Sequence, residues 1–121
     1  YGAGKPGRNG IPLLQSDAPP VIPSRWTLRL SGALEDAPGW ILVGTAPAAV
    51  PFDGGRILVA PAAVLPLRTS AGSDWSLSLD IPAVPSLCGM NVFWQAGIPH
   101  DPGAAGAGWA LSNGLVAAIG S

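Results

Sequence analysis

The chain has 121 residues, enough for one domain with its own hydrophobic core; 48% are apolar and only 11% charged, about half the usual ~25%. Six Lys plus Arg against seven Asp plus Glu leave a formal net charge of −1, with no basic stripe for nucleic acid and no polybasic segment for an anionic membrane. No apolar run approaches the ~20 residues of a membrane-spanning helix, residues 1–4 have neither the basic nor the apolar part of a signal peptide, and the single Cys88 cannot make an internal disulfide.

Seventeen Gly and fourteen Pro cut the chain into short apolar pieces. Those pieces bury enough surface to offset chain entropy, so the chain reads as folded with many turns. Residues 1–24, rich in Gly and Pro, read as an extended N-terminal arm or first strand, with Ile11, Leu13 and Leu14 as its apolar teeth. Gly2, Gly4, Gly7 and Gly10 make no phosphate-binding loop, because no Lys-Ser/Thr pair and no helix follows them.

From residue 25 the dominant pattern is period two, the signature of half-buried antiparallel strands. Trp26, Leu28 and Leu30 share one face, and Arg25, Thr27, Arg29 and Ser31 the other. Trp40-Ile41-Leu42-Val43 and Ile57-Leu58-Val59 are apolar throughout and predict strands near a sheet centre. Pro66 within Val64-Leu65-Pro66-Leu67 demotes that piece to an edge or bulged strand. Trp75, Leu77, Leu79 and Ile81 alternate inward, a single helical turn fits residues 84–89, and Met90, Val92, Trp94 and Ala96 form the next inward face. Phe93, on the opposite phase, implies that this strand is partly covered on both sides. Asn113-Gly114 between two apolar runs predicts a terminal hairpin, since both positions tolerate positive φ. Turn signals occupy the gaps, among them Pro19-Pro20, Pro38-Gly39, Asp53-Gly54-Gly55, Ala71-Gly72 and Asp101-Pro102-Gly103. The expected fold is therefore all-β: a single antiparallel β-sandwich over residues 25–121, jelly-roll- or Ig-like, of about eight or nine short strands. Both ends, Tyr1 and Ser121, are expected to be tied down.

Catalytic chemistry finds little support. His100 is the sole histidine, and Asp101 beside it in a turn is badly placed to orient its imidazole. Cys88 sits among apolar residues and reads as a buried core thiol. Glu35-Asp36 read as a solvated turn, and Asp53, Asp74, Asp80 and Asp101 are scattered without metal-ligand spacing. No catalytic residue, cofactor or metal is expected. Trp26, Trp75 and Trp94 belong to the core by parity, which leaves Trp40 and Trp109 for a carbohydrate platform.

Several stretches, in this order and spacing, carry a resemblance: Tyr1-Gly2-Ala3-Gly4-Lys5-Pro6-Gly7, Trp26-Thr27-Leu28-Arg29-Leu30-Ser31-Gly32-Ala33, Ala37-Pro38-Gly39-Trp40-Ile41-Leu42-Val43-Gly44, Gly54-Gly55-Arg56-Ile57-Leu58-Val59, residues 87–96, and Leu111-Ser112-Asn113-Gly114-Leu115. Together they resemble a Gly/Pro-rich all-β module found at the C-terminal end of secreted or surface proteins of bacteria. The resemblance implies export, an accessory role without catalysis, and a larger host protein ahead of the module. It also implies cysteines where this chain has Lys5 and Arg56, hence that these two positions lie close in the fold.

Two functions follow as expectations. A charge-poor sandwich with edge strands and an extended arm suits a structural subunit of an extracellular filament or surface layer, joined to copies of itself through the arm. The other is a secreted carbohydrate-binding or cell-surface anchoring module, which needs Trp40 or Trp109 exposed in a concave patch.

Overall fold

The computed structural model describes residues 1–16, 20–21, 24–81 and 84–120 of the chain. The strands are β1 (Leu13–Ser16), β2 (Ser24–Ser31), β3 (Pro38–Gly44), β4 (Ala46–Phe52), β5 (Gly55–Ala60), β6 (Ala63–Arg68), β7 (Trp75–Ile81), β8 (Asn91–Ile98), β9 (Ala110–Leu111) and β10 (Leu115–Ala118). The fold is an all-β antiparallel sandwich. One sheet runs β1-β2-β7; the larger runs β10-β8-β3-β6, with β9 also paired to β8.

Period two decides which side chains meet between the sheets. Leu14, Trp26, Leu28 and Leu30 come from the smaller sheet, and Ile41, Trp94, Ala96, Ile98 and Ala117 from the larger. Trp26 and Trp94 meet across the gap with ring centroids 5.5 Å apart at 48°. Trp75, Leu79 and Ile81 pack from the edge strand β7 and stay half-buried, as their alternation requires. A third layer covers the opposite face of the larger sheet. Gln95, out of phase with Trp94 and Ala96, points away from the core, where its Oε1 accepts Leu58 N–H at 2.8 Å and its Nε2 donates to Arg56 O at 3.0 Å. The β4–β5 hairpin is thereby pinned across β8.

Ten strands form among the described residues, against the expected eight or nine. The unexpected strand is β4, which Pro47 and Pro51 disguise; it pairs with β5 alone and shifts register between Pro47 and Val50. The apolar run in β5 is not at a sheet centre. It is apolar because the larger sheet lies on one side and the N-terminal residues on another: a side chain added at Gly2 would strike Leu58 at 2.7 Å. Pro38-Gly39 opens β3 instead of making a turn. Phe93 is covered by Tyr1, in edge contact at 5.9 Å, while Met90 lies exposed just before β8.

The terminal hairpin does not form. β9 and β10 never pair with each other; both pair with β8, in tandem along one of its edges. Between them Asn113 turns its amide onto β1, accepting Leu14 N–H at 2.8 Å and donating to Leu14 O at 3.0 Å, and so stitches the two sheets together. Gly114 is needed for space, because a Cβ there would lie 2.5 Å from the Tyr1 ring.

Two further expectations change. The turn at 84–89 exists, as a 3-10 helix over Pro85–Leu87, but Cys88 at its end is exposed; the turn lifts it off the sheets and out of the core. The arm residues separate as well. Leu14 is 1% exposed and belongs to the core, whereas Ile11 and Leu13 are 51% and 47% exposed. Residues 1–16 lie on the chain's own domain: Tyr1 O accepts Gly114 N–H, Lys5 bridges Leu111, and β1 pairs with β2. Part of the Pro19-Pro20 turn signal and the Ser121 terminus lie outside the described residues.

Candidate functional site: an aromatic cleft

The third layer covers the larger sheet only in part, and the uncovered remainder is a cleft. Trp40, Leu42 and Val64 rise from neighbouring β3 and β6, on the face opposite the core, because Trp40 and Leu42 flank the buried Ile41. The hairpin adds Phe52 and Ile57, and the loop before β9 adds Trp109. The volume is about 290 Å³. Trp40 is 44% exposed at the mouth, and Trp109 is half-buried.

Trp109 owes its position to three contacts. Its ring stands edge-on to Phe52, 5.3 Å away at 71°. Gly97 on β8 leaves the floor free for the indole, since a Cβ there would meet Trp109 Cζ3 at 3.3 Å. The backbone is held by Asp53, whose carboxylate accepts Trp109 N–H at 3.0 Å and Ala107 N–H at 2.6 Å. Lys5 Nζ completes the arrangement, donating to Asp53 at 2.9 Å and to Ala105 O. With Ala107 N–H, then Lys5, then Trp109 N–H favouring the charged form, the Asp53 carboxyl is lowered from 3.8 to about 2.

The walls are carbon almost throughout. Gln95 beneath them is fully buried, and its amide is used up by Leu58, Arg56 and Ser112. The cleft therefore offers apolar and aromatic surface, with its nearest side-chain amide already engaged.

Other expected positions fall elsewhere. His100 is exposed in a left-handed turn, φ 57°, with no hydrogen bond to a described residue. Asp101 is buried and accepts Arg8 N–H at 2.8 Å and Gly103 N–H at 2.9 Å, so it anchors loops. Glu35 accepts Asn9 Nδ2–H at 2.8 Å, which with other contacts lowers its carboxyl, and Asp36 occupies a turn at φ 48°. Asp74 closes the turn after β6, and Asp80 faces solvent from β7. Among the described residues no three of His, Cys, Asp and Glu gather to hold a metal. Lys5 packs against Gly55, next to Arg56: a Cβ built on Gly55 would lie 3.0 Å from Lys5 Cβ. The Arg56 side chain is exposed, while the Lys5 ammonium is buried with Asp53, so that ion pair secures the N-terminal segment.

Sequence reasoning paired Trp40 with Trp109 but missed Phe52, Asp53 and Val64. The readable signal was Phe52-Asp53-Gly54-Gly55, a hairpin turn whose carboxylate, in the left-handed conformation at φ 48°, is free to face a distant loop. No family model, no curated protein and no solved structure matches the chain.

Proposed function

We propose that this chain is a non-enzymatic structural subunit of an extracellular assembly, joined to copies of itself through the aromatic cleft. The observation that carries the reading is the cleft itself: an apolar concavity of about 290 Å³ left open to water between two tryptophans. Covering such a surface is favourable in proportion to the carbon removed from water, and with 11% charged residues little on the exterior opposes close approach.

The chain supplies a matching occupant. Ile11 and Leu13, both exposed, lie at and just before β1, an edge strand of the other sheet. A patch and a pocket on different faces make a heterologous contact, which repeats head to tail instead of closing as a symmetric dimer. Growth through these residues leaves Leu14 and β1 in their own core. The resemblance to exported modules supports an extracellular setting.

Sedimentation and negative-stain imaging test this. The unaltered chain should form open-ended polymers as concentration rises. Trp40→Ser and the Ile11→Ser/Leu13→Ser double variant should each stay monomeric, and mixed together they should stop at one-to-one pairs, since each retains one intact half. A monomeric wild type at its solubility limit refutes the proposal.

A second reading is favoured by one observation: Trp40 and Trp109 line the same concave wall, as a carbohydrate-binding or surface-anchoring platform requires. Against it stands the spent Gln95 amide, which leaves sugar hydroxyls without that partner. Saturable quenching of tryptophan emission by soluble oligosaccharides, lost in Trp40→Ser, would establish this reading in place of the first.

A further inference from the structure

The seam between β9 and β10 holds a reactive pair, Asn113-Gly114. An Asn followed by Gly can attack itself, backbone nitrogen on side-chain carbon, because the Gly has no side chain to hinder the approach. Here the Asn113 amide is fixed in place: its Oδ1 accepts Leu14 N–H at 2.8 Å and its Nδ2 donates to Leu14 O at 3.0 Å. The attacking nitrogen is occupied, since Gly114 N–H donates to Tyr1 O at 2.8 Å. Gly114 is also buried, and the Tyr1 ring lies so close that a Cβ built on it would stand 2.5 Å from that ring.

This cover is lightly fastened. The Tyr1 ring meets Phe93 edge-on and its hydroxyl donates to Leu58 O, yet Tyr1 is 42% exposed. Gly2 and Ala3 beside it are exposed, and the next backbone hydrogen bond along the chain is Lys5 N–H to Leu111 O. A segment with so few anchors opens at far less cost than the core strands.

We infer that Asn113-Gly114 is a modification site that the seating of Tyr1 keeps latent. When Tyr1 lifts, base takes the Gly114 amide proton and a bond forms between Gly114 N and Asn113 Cγ. The Cγ–Nδ2 bond breaks, and Nδ2 leaves as ammonia. Water then opens the cyclic imide at either carbonyl, giving an aspartyl or an isoaspartyl residue, with no oxidant or reductant involved. The aspartyl product puts a carboxylate oxygen where Nδ2 met Leu14 O and Gly114 O, and those two acceptors cannot bond it. The isoaspartyl product lengthens the main chain by a methylene. Both undo the rung that stitches β1 to the larger sheet. The site is separate from the aromatic cleft and does not depend on self-assembly.

Mass spectrometry of the full chain, incubated at mildly alkaline pH, reads the conversion of amide to acid at Asn113. The reaction should run at least about tenfold slower in buffer than in urea. Tyr1→Ala removes the ring cover and should raise the rate in buffer about tenfold, the worth of one edge contact plus one hydrogen bond. Leu79→Ala, a core change on the distant strand β7, should raise it far less. In the wild type, Gly114 N–H should exchange with deuterium well before the core amide of Leu28. Equal rates with and without urea, equal acceleration by Leu79→Ala, or Gly114 exchange only in step with Leu28 overturns the inference. The wild-type exchange decides the matter even where a variant does not fold.

Discussion

Asp53 does more than any other single residue to shape the candidate site. Its backbone turns at φ 48°, and its carboxylate then gathers Lys5 from the N-terminal segment and two N–H groups from the loop that carries Trp109. A carboxyl with this environment is more acidic folded than unfolded. It therefore contributes stability that is complete above its unfolded value of 3.8 and is lost as pH falls through about 2. Glu35 is shifted the same way, chiefly by the Asn9 amide, so the chain as a whole should melt at lower temperature across this acid window. In thermal denaturation followed by circular dichroism, Asp53→Asn should have a lower midpoint at neutral pH and a flatter decline toward pH 2. A variant that declines as steeply as the wild type would show that Asp53 is not linked to folding. Trp109 emission in the same variant should move to longer wavelength, because the amide keeps one acceptor oxygen where the carboxylate used both on the loop's N–H groups.

At the scale of elements, the seam between β9 and β10 shows where tertiary contact overrode local preference. Asn-Gly between apolar runs is a strong hairpin signal, yet here the Asn amide serves as a substitute rung for β1 and the Gly makes room for Tyr1. Asn113→Ala should leave both Leu14 backbone groups without partners and cost about 1–3 kcal/mol in denaturant unfolding. Gly114→Ala should force the Tyr1 ring from its seat, with an overpacking cost of about 1–3 kcal/mol and loss of the Tyr1–Phe93 contact. If Gly114→Ala were as stable as the wild type, the N-terminal segment would not be seated as described. β2 and β7 were legible for the opposite reason. Each has one face on the core and one in solvent, so burial alone writes the alternation, and their register aligns Trp26 with Leu79 and Leu28 with Leu77. β4 was illegible because it has almost no buried face to leave a pattern.

For the molecule as a whole, most sheet pairs join strands distant in the chain: β2 with β7, β3 with β8, and the N-terminal Lys5 with Leu111. Loop-closure entropy must be met before such contacts yield anything, which places refolding in the range of about milliseconds to seconds. Stopped-flow tryptophan fluorescence should show this, with the Trp26–Trp94 pair as the natural reporter. Microsecond folding would contradict the observed topology.

Composition and alternation alone were enough to establish an all-β sandwich, its inward tryptophans at 26, 75 and 94, and β6 as an edge strand. Each of these depends only on which side of a strand meets water, and that preference is written residue by residue. The third layer, the tandem seating of β9 and β10, the exposure of Cys88 and the joining of Trp40 to Phe52 and Trp109 depend on which distant segments come to rest against each other. Such choices rest on shape and on single hydrogen bonds, Gln95 to Leu58 and Asp53 to Trp109, which leave no periodic trace along the chain.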